Sequence, residues 1–238
     1  MSARFFPAGD TAIVVEFEAA ISLEVNARVR ALEHLLRQET VAGVLETVPS
    51  FRSLLVYYDP RVWGYRALCE HLEALVPRAT AALLPRARCV ELPCCYNDPE
   101  LGFELAHAAE RLGLASAELI GLHSAAQYHV YFIGFAPGQP YMTGMPDRLT
   151  IPRLATPRTQ TPAGSVGIGG VQCCVYAVQS PGGFWVLGRT PVKMFDPGSQ
   201  APILLRPGDR VRFRPIDRQE YDRIAAEVER RAYHPVVA

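Results

Sequence analysis

The period of apolar and polar residues changes several times along the chain, and each change marks an element. Near the N-terminus, Arg4 to Pro7 and Thr11 to Glu18 read as strands. The second is rich in β-formers (Ile13, Val14, Val15, Phe17), and Ala8-Gly9-Asp10 is the turn between them. Apolar residues then recur at helical spacing, at Val25, Val29, Leu32 and Leu36, behind Ser22 as N-cap. The charged Glu24, Arg28, Arg30, Glu33 and Arg37 fall mostly off that stripe, so this helix is expected to lay one face on a core. Gly43 to Pro49 and Ser53 to Tyr58 return to a strand pattern, Asp59-Pro60 breaks the chain, and a second helix carries Leu68, Leu72, Leu75 and Val76. Two strands and a helix, twice over, predict a small ferredoxin-like α+β domain across residues 1–80.

From Pro77 to Arg88 the chain turns to Ala, Pro and Arg, as a linker does. Cys89 to Tyr96 is the next expected strand. Helices are expected over Leu101 to Leu112 and over Ser116 to Ser124, with Ser116 as the cap of the latter. Short β segments divided by Gly and Pro then fill the chain: Tyr128 to Phe135, Gly164 to Gly169, Cys173 to Val178, Phe184 to Gly188, Ile203 to Arg206 and Asp209 to Pro215. Strands this short and this close predict a closed barrel or sandwich within residues 88–238. Asp217-x-x-Glu220 is a capping box that starts a last helix, with Tyr221, Ile224 and Val228 facing inward.

Charge narrows the partners. The 238 residues carry 24 Lys and Arg against 24 Asp and Glu, so no global field favours nucleic acid or an anionic membrane. No signal-peptide pattern is present, and no apolar run approaches the ~20 residues of a membrane-spanning helix, so the expected address is the cytoplasm. Of six cysteines, four form adjacent pairs (Cys94-Cys95 and Cys173-Cys174) whose side chains would point to opposite faces of a strand, and the six histidines are dispersed. Reduced, mostly buried thiols and no metal site are expected.

Candidate chemistry gathers between Phe132 and Asp196. Gly134-Phe135-Ala136-Pro137-Gly138-Gln139-Pro140-Tyr141, Pro157 to Val166, and Ser180-Pro181-Gly182-Gly183-Phe184-Trp185 leading to Gly188-Arg189-Thr190-Pro191 follow one another closely. Gly and Pro at that density fix unusual backbone angles and admit close approach to the main chain, which a binding surface uses.

These motifs, with His123-Ser124 ahead of a tyrosine-bearing strand, Pro152-Arg153 before Pro157-Arg158, and Gln172-Cys173-Cys174, resemble one family. It is that of the B subunit of bacterial ATP-dependent 5-oxoprolinase, which includes the sporulation kinase inhibitor KipI and proteins labelled as the first subunit of allophanate hydrolase; the same module forms part of the carboxyltransferase region of urea carboxylase. The resemblance implies an N-terminal α+β domain, a C-terminal cyclophilin-like β-barrel, and a role in a heteromeric enzyme that opens 5-oxoproline to glutamate with ATP hydrolysis. It further implies companion C and A subunits and a small amide substrate; ATP is used by the complex, and the residues leave its contact with this chain open. A kinase inhibitor like KipI and a carboxyltransferase-type component acting on urea-derived amides are the alternative roles. Three positions depart from the pattern. Gln139 stands where the family has Phe, Cys173-Cys174 replace a Thr-Gly turn, and Gly102-Phe103-Glu104-Leu105 stands for Gly-Pro-Asp-Leu.

Residue chemistry singles out candidates within these motifs. Arg153, Arg158 and Arg189 offer guanidinium forks to a carboxylate or phosphate, or else brace loops by pairing with acids such as Asp147 or Asp196. Arg189 and His123 are the catalytic candidates, His123 as a proton shuttle with an unperturbed pKa of about 6.5 or as a partner for the end of its helix. Gly164 and Ser165 present amides and a hydroxyl to an oxyanion, but no Lys-Ser/Thr follows as in a P-loop, and no G-x-S-x-G elbow makes Ser165 a nucleophile. Pro137, Gly138, Tyr141, Gln172 and Gly183 complete the expected substrate-binding set. Tyr141, Phe135, Phe184 and Trp185 form an apolar wall or docking face, with Phe135 and Trp185 also reading as barrel core.

Overall fold

Ser22 takes an extended backbone (φ −141°, ψ 159°), and its hydroxyl accepts from the Val25 amide at 3.1 Å, which starts α1 (Leu23–Glu39). In the computed structural model, which describes residues 3–238, the first of two compact units is Met1–Arg86. Its strands β1 (Arg4–Pro7), β2 (Ala12–Glu16), β3 (Val44–Pro49) and β4 (Ser53–Tyr58) form an antiparallel sheet in the order β1-β2-β4-β3, and α2 (Tyr65–Leu75) completes it. Val29, Leu32, Leu68 and Leu72 meet Ile13, Val15, Leu54 and Val56 in one core. β2 and β3 run parallel with β4 between them, which is the split β-α-β unit of ferredoxin-like folds. The edge strand that would follow α2 in that fold is supplied here by β1, ahead of the rest.

The second unit, Ala87–Ala238, is built on a closed seven-stranded barrel. Its elements in chain order are β5 (Cys89–Cys95), α3 (Leu105–Leu112), α4 (Ser116–Ala125), β6 (Tyr128–Ile133), β7 (Pro140–Thr143), β8 (Arg158–Thr161), β9 (Ser165–Gly169), β10 (Gln172–Val175), β11 (Ser180–Gly182), β12 (Trp185–Arg189), β13 (Arg210–Ile216) and α5 (Arg218–Glu229). The barrel runs β10-β7-β6-β13-β5-β12-β9 and closes between β9 and β10; β8 and β11 pair outside it. Only β13 and β5 are parallel neighbours within the barrel, joined over seven residue pairs from Arg210↔Cys89 to Ile216↔Cys95. Val90, Leu92, Val130, Met142, Ile168 and Leu187 fill the interior. Among the described residues, no helix is long and apolar enough to cross a membrane.

Several expected boundaries move. α3 begins at Leu105, because Leu101 and Gly102 form a turn whose amides bond the Asp98 carbonyl. Ala115, not Ser116, is the N-cap of α4, and no side chain caps it. Ile203 to Arg206 is not a strand and contributes one isolated bridge, Phe195↔Ile203. β7, β8 and β11 are strands that the pattern hides, since Pro140 and Ser180-Pro181-Gly182 read as turn residues. Gln172-Cys173-Cys174 is a strand rather than a turn. Cys174 pairs with both Tyr141 and Gly167, so no left-handed residue is required there, and the tight turn falls at Gly170 (φ 61°) instead. The adjacent cysteines do straddle the wall: Cys94 and Cys173 belong to the interior, Cys95 packs with Ile224 of α5, and Cys174 packs with Tyr176 and Phe184 outside.

Asp209 ties the barrel's N-terminal strand to the approach to β13. It is 4% exposed and accepts from the Arg88 guanidinium twice and from the Arg206 amide at 2.8 Å. Removing one partner of such a pair strands the other charge, so Asp209→Ala is expected to cost the barrel unit about 3 kcal/mol. Ser22→Ala should cost the first unit about 1 kcal/mol. Urea titrations read by Trp185 fluorescence in a Trp63→Phe background, and by Trp63 in the reverse, check the two separately; an Asp209→Ala midpoint equal to wild type would remove the anchor role.

Candidate functional site

Alternation along the strands decides which side chains the barrel shows to the outside. Met142, Cys173 and Ile168 face inward, so Tyr141, Cys174 and Gly167 stand in register on the outer wall. Phe132 flanks this row, stacked on Tyr141 with ring centroids 4.7 Å apart and planes 8° from parallel. At the other flank Phe184 lies over Gly167, where an added Cβ would meet Phe184 Cβ at 2.9 Å, so glycine makes the seat for that ring. The exposed Arg153 places its guanidinium 4.4 Å from the Phe184 centroid and donates from Nη2 to Gln172 Oε1 at 2.9 Å. Tyr141, Arg153 and Gln172 are thereby brought together on an aromatic ledge. Burial pushes the Tyr141 phenol upward, opposed by the Arg153 charge and a hydrogen bond from Gln139.

A second group sits at one end of the same wall. Ser165 and Arg189 are register partners on β9 and β12, and Arg189 pairs onward with Cys95 on β5. Gly164 (φ 78°) brings the chain so close to Thr190 that a Cβ would stand 2.3 Å from its carbonyl oxygen. Ser165 is fully buried, and neither its Oγ nor the Arg189 Nε has a hydrogen-bond partner among the described residues. Burial pushes the Tyr221 phenol upward, and the Arg189 charge opposes that push. A guanidinium edge and a hydroxyl are the groups that pair with an oxyanion, and here both atoms are shielded from solvent.

The other expected residues lie elsewhere. Arg158 donates to Glu104, to the Phe184 carbonyl and to Thr161 Oγ1 (3.3 Å), while Glu104 also accepts from the Val186 amide at 2.7 Å. Arg158 is thus a brace, and its acid is Glu104 rather than Asp147 or Asp196; Asp196 accepts from Arg231. Motif reading misses Glu104 as a site residue, although the retained acid in Gly-Phe-Glu-Leu is the available signal. Gly183 accepts from the Leu154 amide at 2.8 Å and anchors the Arg153 loop. Gly138 is buried beside the Met194 carbonyl, and Pro137 is exposed on the same loop. Phe135 is no core residue: it is 68% exposed with a left-handed φ of 67°.

His123 lies in the barrel core. It is fully buried, with Nδ1 2.9 Å from the Tyr96 hydroxyl, Nε2 3.6 Å from Cys173 Sγ, and the Phe213 and Tyr128 rings at 4.9 and 5.1 Å. Burial drives its pKa down to about 3 and the Cys173 thiol well up, so both are neutral at pH 7. A neutral pair without solvent contact is inert as a nucleophile and base.

Known proteins resemble this chain in sequence and architecture. Residues 3–205 match the family described as carboxyltransferase domain, subdomain C and D. The chain belongs to this family. The 5-oxoprolinase B subunit of Escherichia coli O157:H7 is 39% identical over 214 residues, which cover 90% of this chain and 96% of that one. Among solved structures, TTHA0988 matches with a TM-score of 0.76 and 37% identity over 87% of this chain. The K. lactis urea amidolyase matches in fold, with a TM-score of 0.81 and 23% identity over 99% of this chain. The chain spans 40% and 16% of the length of those two, so in both the family module is one part of a longer polypeptide.

The buried histidine makes a pH prediction. Its folded pKa lies below its unfolded value, so the unfolded state binds more protons and acid favours unfolding. The contribution of the neutral ring is complete above about pH 6.5 and is lost toward pH 3 at about 1.4 kcal/mol per pH unit. Urea titrations between pH 7 and 5 should show this slope in the wild type and its loss in His123→Gln. Equal slopes would place the proton elsewhere.

Proposed function

We propose that the chain is the B subunit of a heteromeric, ATP-dependent 5-oxoprolinase, and that the ledge of Tyr141, Arg153 and Gln172 binds its substrate. The ledge carries the reading: a guanidinium, a phenol and an amide converge on an aromatic floor, which suits a small ring bearing a carboxylate and an amide. Near-full-length similarity to a protein named as the B subunit of 5-oxoprolinase supports the same role. A lactam carbonyl is a poor electrophile, and ATP supplies the activation of its oxygen that makes attack by water easier. In this division of labour the chain's own residues bind and orient. Arg153 takes the carboxylate, and Tyr141 and Phe184 confine the ring. Ser165 and Arg189 form the second polar group, aimed at negative charge on the substrate or on a neighbouring component of the complex.

The turn at Gly164 does not fit a nucleotide phosphate. The turn at Gly164 runs into strand β9 rather than a helix, so no helix N-terminus and no following lysine receive phosphate there. We therefore assign ATP to the companion C and A subunits. The reading leaves the bond-breaking chemistry to the assembled complex, since His123 and Cys173 of this chain are sealed in the core.

The test is co-expression with the companion subunits and measurement of glutamate and ADP released from 5-oxoproline. Arg153→Ala should raise KM at least tenfold, as loss of a charge-assisted contact worth about 1.5–3 kcal/mol requires, with a smaller effect on kcat. Arg189→Ala should leave the chain folded but lower turnover or assembly. Arg158→Ala should instead lower the melting temperature, because it breaks the Glu104 brace. An assembled complex without ATP-dependent glutamate release would overturn the reading. The family's own description favours carboxyl transfer as the second reading, and carboxylation of urea by the same complex would select it.

A further inference from the structure

The seam of the barrel between β5 and β12 is joined by a single ladder pair, Arg189↔Cys95, and β12 is irregular between Val186 and Gly188. Val186 therefore has no β5 partner, and the segment from Gly102 to Glu104 takes that place. Gly102 is wedged where a Cβ would collide with the carbonyls of Tyr96 and Leu187. Glu104 then bonds both polar groups of the Val186 main chain. Its amide donates to the Val186 carbonyl at 3.2 Å, and its Oε2 accepts from the Val186 amide at 2.7 Å. The other carboxylate oxygen accepts from Arg158, whose guanidinium also donates to the Phe184 carbonyl. Glu104 is the N-cap residue of α3, a position whose side chain commonly serves the helix's own amides, yet it makes no such bond. Both oxygens are spent across the seam.

What they hold is the stretch beneath Arg153. Trp185 Nε1 donates to the Pro152 carbonyl and the Leu154 amide donates to the Gly183 carbonyl, each at 2.8 Å, so both neighbours of Arg153 are tied to Gly183–Trp185. Phe184, within that stretch, carries the Arg153 guanidinium 4.4 Å from its ring centroid. Direct contacts thus lead from Glu104 through Val186 and the Phe184 carbonyl to the exposed arginine. The two groups that the side chain meets, the Val186 amide and the Arg158 guanidinium, are both donors. A carboxylate accepts from both, whereas an amide of the same size would turn its NH2 toward one of them.

We propose that Glu104 is a positioning residue, which fixes Phe184 and Arg153 in the arrangement that takes the substrate carboxylate. This rests on the reading of the ledge as the substrate site and deepens it: the hold on the carboxylate depends on an acid that never touches the ligand. A surface arginine loses rotamer freedom when it binds, and a loop already held at both of its neighbours lowers that cost.

The experiment has one arm that needs no substrate and one that does. In the first, amide hydrogen exchange is followed by NMR on the full chain, for wild type, Glu104→Ala and the isosteric Glu104→Gln. Both variants should speed exchange of the Leu154 amide at least about tenfold relative to the Val130 amide, which donates to the Asp209 carbonyl on the β6 side of the barrel. In the second, each variant is assembled with the companion subunits, alone and combined with Arg153→Ala, and 5-oxoproline turnover is measured. Each should raise KM about fivefold with little change in kcat, and should add nothing once Arg153 is gone. Should Glu104→Ala fail to fold, the isosteric variant decides. Leu154 exchange in Glu104→Gln that equals wild type, or that rises only in step with Val130, overturns the positioning role and leaves the hydrolase reading intact. A KM increase that adds in full to that of Arg153→Ala does the same. Selective release of Leu154, with a wild-type complex that does not turn over 5-oxoproline, supports the role of Glu104 and overturns the hydrolase reading.

Discussion

The closure of seven strands into one barrel is the constraint from which the rest of the second unit follows. A closed sheet has no free edge, and its pleat commits every second side chain to an interior that only apolar groups and neutral, hydrogen-bonded polar groups can fill. Once Met142, Cys173 and Ile168 are committed inward, Tyr141, Cys174 and Gly167 must face outward, and a shift of one residue in any of these strands would exchange the two sets. The candidate site is therefore a by-product of register. It needs no specialised loop to aim Tyr141, only the alternation that also builds the core.

The interior shows why chemistry is excluded from it. Tyr96, His123, Tyr128, Cys94 and Cys173 form a polar knot inside the barrel, and burial moves each titration in the direction that keeps the group neutral. Within the knot, hydrogen bonds such as Tyr96 to His123 Nδ1 and Tyr128 to the His123 carbonyl satisfy donors that water would otherwise claim. Such a network specifies packing rather than reactivity. Charge appears where the wall meets solvent, at Arg153, or at the rims, where Arg158 and Arg88 find acids.

The sequence carried the elements well where local chemistry and packing agree. Ser22 and Asp217 each cap a helix as their positions imply, because an oxygen two or three residues before a free amide needs no tertiary help. Ser116 fails as a cap since Ala115 already occupies the extended position and the serine falls inside the first turn. Short strands are harder to read: β7 is held between its hairpin partner β6 and the more distant β10, and β11 by β8, and these pairings override the turn character of Pro140 and Ser180-Pro181-Gly182. At the site, motifs named the loops correctly but not which arginine meets which group. That Arg158 braces Glu104 while Arg153 remains exposed depends on how loop 152–158 folds over Phe184, a long-range outcome with no local signature. Gln139 was visible as an odd residue, and only its burial turned the oddity into an unpaired acceptor.

Exposure sets the final limit on the ledge. An arginine at the surface holds a carboxylate weakly, because solvent at high dielectric and dissolved salt screen the attraction to about 1 kcal/mol or less. The same contact strengthens severalfold when water is excluded, since the interaction scales inversely with the local dielectric constant. Phe132, Tyr141 and Phe184 supply a dry floor and flanks but no roof. A surface laid over Arg153 would convert a weak contact into a selective one. A module that occurs within longer polypeptides in TTHA0988 and urea amidolyase is placed to receive such a cover. The incompleteness of the ledge is then a property of its electrostatics: the groups are correctly chosen, and what they lack is the exclusion of water.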